Sequence, residues 1–153
     1  GDVLRNVNNH ITRLQKSAQF VTAIYGTVDG LTCEFSYARA GHEPPLLLKS
    51  DRTVERIPHA PGMSLGLWEN ITLDLQTVKL EKGSTLLLFT DGMTDCRDPQ
   101  GTPFGLARIQ ERLSGLVGLP AQAVCDNLLE TLLAYQDGSN QDDDVTLVAI
   151  HSS

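Results

Sequence analysis

The feature that most constrains the fold is a pair of β-rich segments on either side of Asp29-Gly30. Residues 19–28 and 31–40 are both rich in β-branched and aromatic side chains. Asp-Gly between two such segments is a strong hairpin signal, because it suits the tight turns that join antiparallel strands. Strands joined by hairpins form antiparallel sheets, whereas parallel sheets need long crossover connections. The sequence therefore predicts a mainly antiparallel sheet system.

The other elements are predicted from the spacing of apolar residues, which is 3–4 positions in helices and two in strands. We predict further strands over 45–50, 53–57, 71–80, 84–90 and 145–150, and helices over 2–16, 104–115 and 120–135. The first helix is expected to bury Val3, Leu4, Val7, Ile11 and Leu14. A shift of the apolar positions within 71–80 indicates a β-bulge. Strands and helices are thus segregated along the chain, which is typical of an α+β fold.

Composition excludes several classes of protein. The 153 residues are enough for one domain, and the net charge of −7 argues against binding to nucleic acid phosphates. No apolar run approaches 20 residues, so we expect no membrane segment in this chain. The three cysteines are odd in number and lack zinc-ligand spacing, which argues against a disulfide framework or zinc site. We therefore expect a cytoplasmic protein.

Acidic residues stand at the ends of two apolar strands. Asp91 follows the strand over 84–90, and Asp142-Asp143-Asp144 precede the strand over 145–150. Neighbouring carboxylates repel one another, and a hard cation such as Mg²⁺ or Mn²⁺ relieves that repulsion. Taken singly, an Asp-Gly after a strand is more often a turn, and a triple Asp is more often a solvated loop.

Other sites that use aspartates fit less well. A calcium loop of the EF-hand type needs Asp at alternate positions and a distal Glu, which are lacking here. A haloacid-dehalogenase-type phosphatase needs a second Asp at the position of Met93, and a receiver domain needs parallel βα alternation.

Six segments in fixed order resemble a known family: FVTAIYGTVD, YARAGHEPPLLL, SLGL, GSTLLLFTDGMTD, GTPFG and QDDDVTLVAI. They are similar to the C-terminal part of SpoIIE/RsbU-type phosphatases in the metal-dependent protein phosphatase 2C (PPM) superfamily. The resemblance covers residues 1–153 as a single partial domain. It implies an α+β fold, namely a mainly antiparallel β-sandwich flanked by helices, with a Mn²⁺ or Mg²⁺ centre of two ions.

The resemblance also implies roles for individual residues. Asp91 and Asp143 would be catalytic and would bind the same metal ion, with Asp144 in the second place of the final acidic motif. Gly92 would let the chain turn sharply and would keep the approach to the metal open. Thr146 would hydrogen-bond back to the acidic loop.

By resemblance, the function is hydrolysis of phosphoserine or phosphothreonine by a metal-activated water. The implied substrate is a phosphorylated STAS-type anti-sigma-factor antagonist in bacterial stress or sporulation signalling. An upstream sensor or receiver domain is expected in the full-length protein. His42, in the AGH motif, is expected to be structural.

The family's N-terminal GGD and D-x-x-G-[HK]-G motifs, which supply the metal-bridging Asp, are not found in this sequence. We therefore expect missing N-terminal strands, weak or no activity of this chain alone, and a possible homodimer formed through uncovered strand edges. The alternative function is a catalytically incomplete regulatory or binding domain of a signalling protein.

Overall fold

A computed structural model of the chain describes residues 1–14, 19–139 and 143–153. Across these residues the elements follow the predicted order, with one short helix added after the sixth strand. Their bounds are α1 Asp2–Leu14, β1 Ala23–Asp29, β2 Glu34–Ala40, β3 Leu46–Leu48, β4 Val54–Arg56, β5 Asp74–Lys79, β6 Thr85–Phe89, α2 Asp91–Asp95, α3 Gly105–Ser114, α4 Ala121–Gln136 and β7 Leu147–His151.

The chain divides into two compact units. The first unit comprises Gly1–Pro44 and Pro58–Lys79, and the second comprises Pro45–Ile57 and Leu80–Ser153. The first unit holds an antiparallel sheet in the order β1-β2-β5, and the second holds an antiparallel sheet in the order β4-β3-β6-β7.

The first hairpin of the first unit is confirmed, although its connection is longer than a two-residue turn. Asp29 pairs with Glu34, so four residues join β1 to β2. The Asp29 carboxylate accepts hydrogen bonds from the backbone N–H groups of Leu31 and Thr32, at 2.8 and 3.0 Å. An Asp side chain that bonds its own backbone in this way stabilises a turn.

Helix α1 covers part of this sheet with a narrower apolar face than predicted. Leu4 is buried and Ile11 packs beside it, whereas Val3, Val7 and Leu14 are exposed. Asn8 is fully buried on the same side of the helix, because its amide donates to the carbonyls of Trp68 and Glu69 and accepts from Gly66 N–H. The helical periodicity was correct, but the buried face is centred on a polar residue. Residues 15 and 16 of the predicted helix lie outside the described residues.

The predicted bulge in β5 is wrong. Residues 74–79 pair with β2 in continuous register, so Asp74 faces the interior and Leu75 is exposed. The buried Asp74 is bonded to Arg39 Nε at 2.9 Å, to Ala60 N–H at 3.0 Å and to the Gln76 amide at 2.7 Å. Burial opposes ionisation, but these hydrogen bonds outweigh it and hold the pKa of Asp74 below its ordinary value.

The second unit has a dense apolar core under its sheet. β6 is central, with Leu86 and Leu87 fully buried and Phe89 nearly so. The helices contribute apolar faces that meet β3 and β6 in one cluster: Phe104, Ile109, Leu113 and Leu116 from α3 and its ends, and Val124, Leu128 and Leu132 from α4. Each fully buried side chain of this size contributes about 1.5–3 kcal/mol. Leu147 and Ala149 of β7 pack against this core, which also contains Leu87 and Phe89 of β6.

No helix in the described part of the chain is long and apolar enough to cross a membrane. The outer strands are β1 and β5 in one sheet and β4 and β7 in the other. Self-association through such edges stays a prediction.

Substitution of Asp74 tests the buried ion pair. Asp74→Ala leaves the Arg39 guanidinium, which is 5% exposed, without its carboxylate, so we expect the free energy of unfolding to fall by about 3–5 kcal/mol in urea denaturation. Because the folded-state pKa of Asp74 is lowered, its contribution is complete above the unfolded-state pKa and is lost as pH falls through the folded-state pKa. Glu55→Ala, which breaks the exposed Lys49–Glu55 pair, is the matched control and should change stability little. Equal losses in the two variants would contradict this account.

Candidate metal centre

The pairing of β6 with β7 brings two acidic segments to the same end of one sheet. Phe89, the last residue of β6, pairs with Leu147, the first residue of β7. Since the strands are antiparallel, the residues that follow β6 lie beside the residues that precede β7. Asp91 belongs to the first of these segments, and Asp143 and Asp144 belong to the second. The two strands that the acids adjoin in the sequence are therefore neighbours in one sheet.

Thr90 joins the two segments through three hydrogen bonds. Its backbone N–H donates to the Thr146 carbonyl at 3.2 Å. Its hydroxyl donates to the Asp144 carbonyl at 3.1 Å and accepts from Thr146 N–H at 2.9 Å. Thr90, which directly precedes Asp91, is therefore hydrogen-bonded to both neighbours of Val145, namely Asp144 and Thr146.

Gly92, just after Asp91, allows the acidic segment to approach closely. A Cβ atom at Gly92 would lie 2.4 Å from the Asp144 carbonyl oxygen and 3.4 Å from that of Asp143. Gly92 lies inside α2 and does not have a positive φ. The sharp-turn explanation predicted for this glycine is therefore wrong, since the position requires glycine for space rather than for backbone conformation.

The three described acids are open to solvent. Asp91 begins α2, and Asp143 and Asp144 lie in the segment before β7; all three are exposed. The Asp143 carboxylate accepts a hydrogen bond from Asp144 N–H at 2.8 Å, which orders the side chain next to the backbone of its own segment. Asp142 lies outside the described residues.

Thr146 acts through its backbone. Both its N–H and its carbonyl bond to Thr90, and β7 begins one residue later. Among the described residues, the hydroxyl of Thr90 also bonds to the acidic segment, a contact that the sequence prediction missed. The hydrogen bond predicted for Thr146 stays a prediction. A hydroxyl residue directly before Asp-Gly at the end of a strand was the available signal, but its partner is 54 positions away along the chain.

The acidic residues at the end of β6 and before β7 carry the type of ligand atom that a hard divalent cation prefers. Carboxylate and carbonyl oxygens are the ligands that Mg²⁺ and Mn²⁺ prefer, and Asp91, Asp143 and Asp144 present only oxygen. Within residues 1–14, 19–139 and 143–153, no group of three His, Cys, Asp or Glu side chains is arranged to hold a metal ion. The shared binding of one ion by Asp91 and Asp143 therefore stays a prediction.

His42 belongs to the first unit. Its Nδ1 lies 3.2 Å from the Thr22 hydroxyl, and its carbonyl accepts a hydrogen bond from Arg39. These contacts are consistent with the structural role predicted for it.

Known proteins resemble the chain along nearly its whole length. The family model of stage II sporulation protein E (SpoIIE) matches residues 1–153. Protein IcfG of Synechocystis is 32% identical over 151 residues, which cover 98% of this chain and 24% of IcfG. The Bacillus subtilis protein named phosphoserine phosphatase RsbU is 30% identical over 148 residues, which cover 95% of this chain and 43% of RsbU. The chain thus spans less than half the length of these relatives.

Solved structures share the fold. The SiaA-PP2C domain of Pseudomonas aeruginosa superimposes with a TM-score of 0.82 at 21% identity, covering 99% of this chain and 60% of that one. The structure of the RsbU and RsbW domains of Rv1364c from Mycobacterium tuberculosis gives 0.80 at 26% identity, covering 97% and 40%. The predicted α+β, mainly antiparallel fold of the phosphatase 2C class is confirmed.

Substitution of Gly92 tests the close approach. The added methyl group of Gly92→Ala meets a backbone carbonyl, so α2 or the 143–146 segment must move, and we expect a loss of about 1–3 kcal/mol in the free energy of unfolding. Gly30→Ala is the control, because a Cβ at Gly30 meets nothing within 4 Å and Gly30 has no positive φ. Wild-type stability of Gly92→Ala in urea denaturation would refute the steric role.

Proposed function

The chain belongs to the SpoIIE family, as its motifs indicated, and from this membership we propose that it forms part of a metal-dependent protein serine/threonine phosphatase. The observation that carries the proposal is the β6–β7 pairing, which places Asp91 beside the Asp143-Asp144 segment. The chain spans only 24% of the length of IcfG and 43% of the length of RsbU. Activity, substrate and partners of a whole protein are therefore part of the proposal.

In this proposal the carboxylates of Asp91 and Asp143 hold Mn²⁺ or Mg²⁺ at the exposed end of the β6–β7 pair. A divalent ion bound there supplies two effects, a lowered pKa of bound water and neutralisation of phosphoryl oxygens. Thr90 and Gly92 fix the position of the acidic segment. The exposure of Asp91 and Asp143 suits a protein-sized substrate, since the acids are reached from solvent without an opening motion.

A cysteine-based phosphatase mechanism fits the chain poorly. Cys96 is buried, and burial raises the pKa of the Cys125 thiol, so the reactive thiolate is disfavoured at neutral pH. Among the described residues, no cysteine lies in the acidic segments at the ends of β6 and β7. This supports hydrolysis by water rather than through a phosphocysteine.

The proposed substrate is a phosphorylated STAS-type anti-sigma-factor antagonist. Its support is the name of the relative RsbU, a phosphoserine phosphatase, and the solved protein that joins an RsbU domain to an RsbW domain. The two names support a role in bacterial signalling by partner switching. The proposal includes a sensor or receiver domain elsewhere in the full-length protein and a cytoplasmic location.

A second candidate function is a regulatory domain that binds a partner without catalysis. It is favoured by the absence of a three-acid metal cluster from the described part of the chain. A measurement of phosphate release distinguishes a phosphatase from a domain that only binds a partner.

The assay measures phosphate release from a phosphoserine-bearing STAS-type protein with excess Mn²⁺ and with EDTA. We expect slow turnover by this chain that EDTA abolishes. Asp91→Asn and Asp143→Asn should each lower it by roughly 100-fold or more, since a metal supplies several kcal/mol of charge stabilisation and each 1.36 kcal/mol is tenfold in rate.

Asp126→Asn, which alters an exposed carboxylate on α4, is the matched control and should retain activity. Turnover that survives EDTA or both site substitutions would contradict the metal-dependent mechanism. Complete absence of turnover in the presence of Mn²⁺ would favour the binding function.

A further inference from the structure

We propose that Thr90 is a positioning residue for the metal centre, because its hydroxyl fixes the Asp143-Asp144 segment relative to Asp91. This inference rests on the proposed function, since it concerns the same site. Thr90 itself is not assigned to the metal. It acts through the backbone of the segment that carries Asp143.

The Thr90 hydroxyl both donates and accepts a hydrogen bond, and both partners lie in the segment that precedes β7. It donates to the Asp144 carbonyl at 3.1 Å and accepts from Thr146 N–H at 2.9 Å. The angle and distance between the two segments are therefore set by one side chain in addition to the ladder bond between Thr90 N–H and the Thr146 carbonyl. A main-chain ladder alone would leave the Asp144 carbonyl without this bond.

Thr90 stands at the start of α2, where its hydroxyl could have capped the helix instead of bonding to the acidic segment. Thr90 is the N-cap residue of α2, where a threonine hydroxyl ordinarily accepts a hydrogen bond from the first turn of its own helix. Within the described residues it makes no such capping bond. The side chain is thus committed to the acidic segment rather than to stabilising α2.

The Asp144 carbonyl lies close to both chain neighbours of Asp91. The Thr90 hydroxyl bonds to it, and the absence of a side chain at Gly92 leaves the space that it occupies. The two contacts flank Asp91 in sequence, so the position of Asp91 relative to the next segment is defined from both sides. Groups that orient metal ligands typically change metal affinity by 10–100-fold when they are removed.

The chain offers a matched control on the same pair of strands. The Thr85 hydroxyl lies 2.9 Å from His151 Nδ1, which also links β6 to β7 but at the end opposite the acids. Thr85 is fully buried, so Thr85→Val should lower the melting temperature. It should leave Mn²⁺ affinity unchanged if affinity depends on Thr90 rather than on general stability.

The test uses the wild-type chain with Thr90→Val, Thr90→Ser and Thr85→Val. Amide hydrogen exchange at Thr146 reports the hydroxyl contact without metal. Mn²⁺ titration, followed by paramagnetic broadening of the amide signals of Asp91 and Asp143, reports affinity. We expect Thr90→Val to speed exchange at Thr146 and to weaken Mn²⁺ binding about tenfold or more, and Thr90→Ser to restore both.

Wild-type Mn²⁺ affinity in Thr90→Val would overturn the positioning role while leaving the proposed function standing. An equal loss of affinity in Thr85→Val would overturn it as well, because general stability would then explain the effect. Absence of broadening at Asp91 and Asp143 in the wild-type chain would contradict the proposed function, and the positioning role would fall with it.

Discussion

The antiparallel pairing of β6 with β7 is the contact on which the candidate site depends. Phe89 and Leu147 are opposite each other at the end of this pair, and the acids continue the chain from that point in both directions. Closing the long intervening segment costs entropy, which must be offset before the two strands can meet. The apolar cluster formed by α3, α4, β3 and β6 supplies the compensating burial. The packing of the core therefore positions the exposed acidic segments, which are flanked by core residues such as Met93 and Val145.

The site also gathers like charges in a chain that already has a net charge of −7. The segment that carries Asp91 lies beside the segment that carries Asp143 and Asp144 although carboxylates repel, and the described contacts of these segments include hydrogen bonds to backbone groups. An arrangement of this kind is stabilised by any cation that binds the folded state and not the unfolded chain. If the proposed ion binds at the end of β6, its binding and the folding of this unit are linked in the same way.

Much of the fold could be predicted because strand and helix periodicities are local properties of the sequence. The segments that become β6, β7, α3 and α4 were recognised from apolar spacing. Asp91 and the run of aspartates at 142–144 were recognised from their positions at strand ends, and the family resemblance singled out Asp143 within that run. Asn8 and Asp74 show where this reasoning fails. Both are polar residues at buried positions, and their burial is possible because of partners far along the chain, Gly66 and Trp68 for one and Arg39 for the other. The same limit applies to Thr90, whose hydroxyl partner is identified by strand pairing and not by any local pattern.

The central claim is that the β6–β7 pair brings Asp91 and Asp143 to one metal ion. Its most direct test is a crystal of this chain soaked in MnCl₂, with an anomalous difference map calculated at the manganese absorption edge. The account predicts a peak bonded to one carboxylate oxygen from Asp91 and one from Asp143. A manganese ion bound elsewhere, or carboxylates of Asp91 and Asp143 that point apart with no peak between them, would contradict it.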